Sequence, residues 1–158
     1  MIDDIEIARA LHVVFVAHWI GGVAFVTLVA LPLARSYADA GKGWALFETI
    51  ETRFAKQVRV SIPLAGATGL WMAWRLDLWG LFASPAFWWM DAMVLLWVLF
   101  MLIVFAIEPL VHRHVAEMAA EDPATLLLRL SRVHCLLLAA GAVTMFGAVA
   151  GAHGGVFG

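Results

Sequence analysis

The stretch Leu11–Phe25, LHVVFVAHWIGGVAF, opens an apolar run that continues to Ala34. Roughly 20 apolar residues suffice to cross the hydrocarbon core of a bilayer, so this run constrains the fold more than any other part of the chain. It nevertheless carries His12, His18, Trp19 and the pair Gly21-Gly22. Ionisable side chains at membrane depth are costly and point first to a functional site. Imidazole binds heme iron and copper readily, which makes a membrane protein holding a metal or metal cofactor the expectation.

Three further apolar runs follow, so that membrane helices are expected at about 10–34, 58–74, 87–107 and 133–152. Helices are preferred to strands because each run is long and a helix satisfies its own backbone in lipid. Only 14% of the residues are charged, against about 25% in soluble domains, which argues against a separate soluble domain. The expected fold class is all-α, a single integral membrane four-helix bundle over residues 1–158. The net charge of −2 carries no nucleic-acid footprint. Cys135 is the sole cysteine, which excludes an internal disulfide and any multi-cysteine zinc or iron–sulfur site. The N-terminal MIDDIEIAR lacks the basic region of a cleavable signal peptide.

Orientation follows from the cations. Arg35, Lys42, Arg53, Lys56, Arg59, Arg113, Arg129 and Arg132 flank the first and third loops, leaving Arg9 and Arg75 on the other side. The positive-inside rule then places those two loops in the cytoplasm and both termini on the outer side. Trp71, Trp74, Trp79, Trp88 and Trp89 gather around the short second loop and read as an aromatic belt at the outer interface. In the first loop Trp44, Phe47, Ile50, Phe54 and Val58 recur at helical spacing. That suits either an amphipathic inner-surface helix over 44–58 or an extension of the second membrane helix.

His12 and His18 are six residues apart, about 120° around a regular helix, and cannot clamp one ion from that helix. His12 shares a face with Trp19, whereas His18 shares one with Gly21, Gly22 and Phe25, where the glycines leave room for a flat ring. By helical rise, His12 lies a few Å inside the outer boundary, His18 roughly 12 Å in and Met93 roughly 9 Å in. His153 falls at the outer end of the last helix, and His134 in the other leaflet. Ala65, Gly69 and Ala73 form a small-residue stripe that reads first as helix packing. His134, Gly141 and Ala148 read the same way. Glu108, His112 and His114 form a polar group at the inner end of the third helix, best read as solvated interfacial residues.

His12, followed seven residues later by Trp19 and then by Gly21-Gly22, resembles the first helix of the copper-resistance D (CopD-like) membrane proteins. With Leu31-Pro32 added, the pattern is also similar to the bacterial HemJ-type protoporphyrinogen IX oxidases. Phe47–Trp71 resembles that family's loop and second helix in its glutamate and arginine, Pro63 and Gly69-Leu70-Trp71. Trp89–Leu96, WMDAMVLL, stands where the family carries Trp, His and Lys, so that Asp91 and Met93 occupy the His and Lys positions. The resemblance implies a bacterial inner (plasma) membrane protein binding heme b, with His12 as an axial ligand by position. The lysine's role does not carry over. Methionine is itself an axial heme ligand and a soft Cu(I) ligand, which leaves Met93 or His18 as the second ligand. The expected cofactor-binding set is His12, His18, Trp19, Gly22 and Met93.

Two further readings stay open. One is a copper binding or uptake protein using His12, His18, Met90 and Met93; the other is a structural subunit of a larger membrane complex. Partners expected on any reading are the lipid bilayer and a homo-oligomer or larger membrane complex. Heme would serve electron transfer or oxidation of a hydrophobic substrate such as a porphyrinogen or quinol.

Overall fold

A computed structural model describes residues 3–152, and among them all regular structure is helical. Four long helices account for it: α1 Asp4–Ser36, α2 Ala40–Arg75, α3 Pro85–Glu121 and α4 Pro123–Ala152. The expected membrane segments lie within these four. The amphipathic stretch over 44–58 is continuous with the second apolar run in the single helix α2.

Short connections make the neighbours antiparallel. Asp39 caps α2, its Oδ1 accepting from the N–H groups of Gly41 at 3.0 Å and Lys42 at 3.3 Å. Asp122 alone separates α3 from α4. Its Oδ1 accepts from the Thr125 N–H at 3.0 Å, and Pro123 follows at the first helical position, where its missing N–H costs nothing. Hydrogen bonds from Thr125 hold the Asp122 carboxyl below its ordinary range. The α2–α3 connection turns at Asp77, a non-glycine residue with φ of 50°, and passes through a 3-10 helix at Leu78–Ala83.

The first helix of each hairpin, α1–α2 and α3–α4, carries the same local irregularity near the loop. A π-helical turn occupies Val26–Ala30 in α1 and another Ile103–Ile107 in α3. Each ends two residues before a proline, Pro32 and Pro109. Proline removes one N–H and crowds the carbonyl four residues back, and the widened turn absorbs that crowding.

The seam between α1 and α2 is the longest helix contact. From the terminal end to the hairpin end its rungs are Asp4 with Arg75, His12 with Ala65, His18 with Ser61, Gly22 with Phe54 and Ala34 with Gly43. Arg75 grips Asp4 with two nitrogens, Nε to Oδ2 at 2.9 Å and a terminal nitrogen to Oδ1 at 3.2 Å. At the hairpin side, Arg59 of α2 reaches Glu108 of α3 at 2.7 Å. Trp97 of α3 lies against Gly66 and donates from Nε1 to the Ile62 carbonyl at 2.9 Å. Trp88 and Trp89 seat on Gly147 and Gly151 of α4, so this pair serves helix packing. Trp71, Trp74 and Trp79 remain exposed at that end.

One buried cluster runs through the middle of the bundle, with Trp19, Val23, Ile62, Leu96 and Phe100 at its heart. A second, built on Val26, Leu31, Phe47 and Leu127, closes the hairpin end. The outward surface is apolar as well: Leu136 is 72%, Phe146 70% and Leu95 68% exposed. Apolar surface this extensive is a membrane or interaction face. The helices α1, α3 and α4 are long and apolar enough to cross a membrane. The second helix is more polar because Gln57, Ser61 and Thr68 turn toward α1 and Arg59 toward α3.

Candidate functional site

His12 and His18 both reach across the seam to α2, at levels about 9 Å apart along the helix. The polar partners they meet, Gln57, Ser61, the Ala65 carbonyl and Thr68, follow one another at four-, four- and three-residue steps. That spacing is one face of a helix. In the sequence of α2 the stripe is visible as Gln57, Ser61 and Thr68 at helical spacing, but the spacing does not state which helix faces it.

His12 is half-buried. Its Nδ1 lies 2.8 Å from the Ala65 carbonyl oxygen and 3.2 Å from Thr68 Oγ1. A carbonyl only accepts, so Nδ1 carries the proton and donates it. Thr68 directs its own hydroxyl toward the Leu64 and Ala65 carbonyls, at 2.8 and 3.0 Å, and offers a lone pair to the ring. The neutral tautomer is thereby fixed with Nε2 unprotonated, a free lone pair on a ring held in place. A backbone carbonyl on the far nitrogen is the usual device for orienting a metal-binding imidazole. Gly69 makes the approach possible: a Cβ there would stand 3.1 Å from His12 Cε1. The Ala65–Gly69–Ala73 stripe therefore serves packing against α1, and the side chain it admits is the histidine.

Trp19, seven residues on from His12, is buried to 4% and packs edge-on against Phe100 with ring centroids 4.8 Å apart. Its Nε1–H is buried without an acceptor. Buried indole N–H groups usually find a partner; among the described residues Trp89 Nε1 and Ser131 Oγ are left without one in the same way.

His18 differs from His12 in one decisive respect. Both ring nitrogens are engaged, Nδ1 with Ser61 Oγ at 3.1 Å and Nε2 with Gln57 Oε1 at 3.2 Å. No lone pair is left over for a metal unless these bonds break. Gly22 is also occupied: a Cβ there would overlap the Phe54 ring, so the space beside it is filled by the protein's own aromatic side chain. Gly21, by contrast, faces open space.

Met93 is half-buried on α3, four residues before Trp97 and hence on the same face of that helix. Trp97 is level with Ile62 and Gly66, so Met93, one turn nearer the terminal end, sits at about the depth of His12. Met90 is buried and Asp91 half-buried in the first turn. At the hairpin side, Glu108 pairs with Arg59, while His112 and His114 are exposed and His114 lies 3.8 Å from Glu117. Burial, then the nearby Glu108 carboxylate, push the Glu51 carboxyl up from its ordinary value. His134 donates from Nδ1 to the Leu130 carbonyl at 2.9 Å and meets the edge of Phe47, which is a packing role. His153 lies outside the described residues. Among the described residues no group of three or more His, Cys, Asp or Glu side chains is arranged to hold a metal ion.

No protein-family model, curated protein or solved structure matches this chain.

Proposed function

We propose that this chain is a heme b-binding integral membrane protein with a redox role, in which His12 supplies an axial ligand to the iron. The observation that carries the reading is the His12 tautomer: Nδ1–H is committed to the Ala65 carbonyl, leaving the Nε2 lone pair for a metal. The first-helix likeness to CopD-like and HemJ-type proteins supports it. Heme b would supply a one-electron couple at membrane depth. The chain's contribution is to hold the imidazole with Thr68 and Ala65, to admit it at Gly69, and to exclude water with Trp19 and Phe100. Met93, level with His12 on another helix, would be the second residue to hold the heme, whereas His18 is bound up with Ser61 and Gln57. The substrate class is a quinol or porphyrinogen, oxidised from the bilayer.

The test is a spectrum of the purified protein. Heme b gives a Soret band and reduced-minus-oxidised difference bands. Copper by elemental analysis without a Soret band would replace this reading with the copper-uptake one, and the absence of both would leave a structural subunit.

We place all four helices across a bacterial plasma membrane, with the termini outside. The eight cations around the hairpin end, against Arg9 and Arg75 at the other, support this orientation. A reporter fused after Gly158 is expected to report the external compartment, and one inserted near Gly41 the cytoplasm. Reporters on the same side would overturn the topology.

A further inference from the structure

Toward the hairpin end, the α1–α2 seam opens sideways into a groove of roughly 520 Å³. Its lining includes His18, Gly21 and Phe25 from α1 and Arg53, Phe54 and Gln57 from α2. We propose that this groove holds one anionic membrane phospholipid, with its phosphate on Arg53 and an acyl chain lying over Gly21.

Three observations order the groove as such a lipid is ordered. Arg53 is exposed and has no ion-pair partner among the described residues, unlike Arg59 and Arg75 in the same helix. It lies six residues beyond Arg59, roughly 9 Å farther toward the hairpin end. The Arg59–Glu108 pair marks where charged side chains begin on α2 and α3, so Arg53 stands at headgroup level. One turn deeper is Gln57. Its Oε1 is taken by His18, which leaves the amide N–H pair to donate to the glycerol ester carbonyls. At the level of Gln57 the facing wall on α1 loses its side chain: a Cβ on Gly21 would meet nothing within 4 Å. The exposed surface then continues over Ala17 and Val14 at helical spacing. Phe25, half exposed, and the Phe54 ring form the apolar floor beside the headgroup.

The charge decides the class of lipid. The Gln57 amide would serve an ester carbonyl of any phospholipid and does not discriminate among them, whereas the unpaired guanidinium calls for an anion. Phosphatidylglycerol supplies that charge on the same glycerol ester frame as neutral lipids.

The experiment is native mass spectrometry of the purified full-length protein, reconstituted with phosphatidylglycerol or phosphatidylcholine of identical acyl chains. A single tightly held phosphatidylglycerol is expected, retained with about a fivefold preference, the amount one cation confers against an anionic headgroup. Arg53→Gln should abolish the preference while leaving helical content and melting temperature unchanged. Gly21→Phe fills the cleft from a position where its Cβ meets no obstacle, and should lower retention of both lipids; Gly21→Ala should not. Equal retention of the two lipids by the wild type, an undiminished preference in Arg53→Gln, or a quinone found in the groove instead would each overturn the proposal.

Discussion

Replacing His12 by alanine is expected to remove most of the heme b from the purified protein, with expression and helical content unchanged. The argument rests on what each imidazole is already doing. His12 spends Nδ1 on the Ala65 carbonyl and keeps Nε2 in reserve, so its removal deletes the donor atom and leaves the iron with at most one strong protein ligand. His18 spends both nitrogens on α2, and His18→Ala should retain more heme. The double variant of His112 and His114 to alanine should bind as the wild type does, because both rings are exposed at the hairpin end. Thr68→Val keeps the ligand but removes one of the two acceptors that orient it; changes of that kind typically cost about 10–100-fold in metal affinity. Met93→Lys should keep heme bound and lower its reduction potential, since an amine stabilises Fe(III) better than a thioether does. Absorption spectra and redox titrations read all five variants. Unchanged heme in His12→Ala overturns the site, and an unchanged potential in Met93→Lys removes Met93 from it.

The four long helices were legible because an apolar run in this chain is interrupted wherever the bundle has an end. Leu31-Pro32 and Glu108-Pro109 stand near the close of two runs, and Asp39 and Asp122-Pro123 cap the helices that follow. What could not be read was how far each helix continues past its apolar part. The polar pattern over 44–58 suits a helix lying on the membrane and an extension of α2 equally well. The choice is made by tertiary contacts, Phe47 and Leu127 burying against Leu31 and Ala34. The π-helical turns were equally hidden, since proline announces a disturbed ladder without stating how the disturbance is absorbed. At the site, periodicity placed His12 on the face of Trp19, and His18 on that of the glycines. It could not foresee that Phe54, from another helix, fills the space at Gly22 while Gly21 stays open. Which glycine makes room and for what is a property of the neighbouring helix.

That distinction yields the second large effect. Gly43→Ala is expected to destabilise the protein, although alanine is the better helix former and gains up to about 1 kcal/mol at an unconstrained helical glycine. Gly43 lies buried in the first turns of α2, directly against the backbone carbonyl of Ala34. A Cβ there would overlap that carbonyl oxygen, and its next neighbour, the carbonyl carbon, would be 3.2 Å away. Backbone has no rotamer to change, so the overlap is relieved only by prising α1 from α2. That movement disturbs Leu31, Ala34 and Phe47, all 3% exposed or less in the cluster that closes the hairpin end. Overpacking of this kind costs about 1–3 kcal/mol, enough to outweigh the propensity gain. Gly22→Ala meets only the far end of the Phe54 side chain, which can swing away, and should cost less. Gly21→Ala meets nothing and should be neutral or stabilising. Thermal melts of the three variants in one detergent, followed by circular dichroism, should rank their melting temperatures as Gly21→Ala, then Gly22→Ala, then Gly43→Ala. A Gly43→Ala protein as stable as the wild type would mean that α1 and α2 do not meet at Ala34, and the level of every rung along the seam, His12 on Ala65 included, would have to be redrawn.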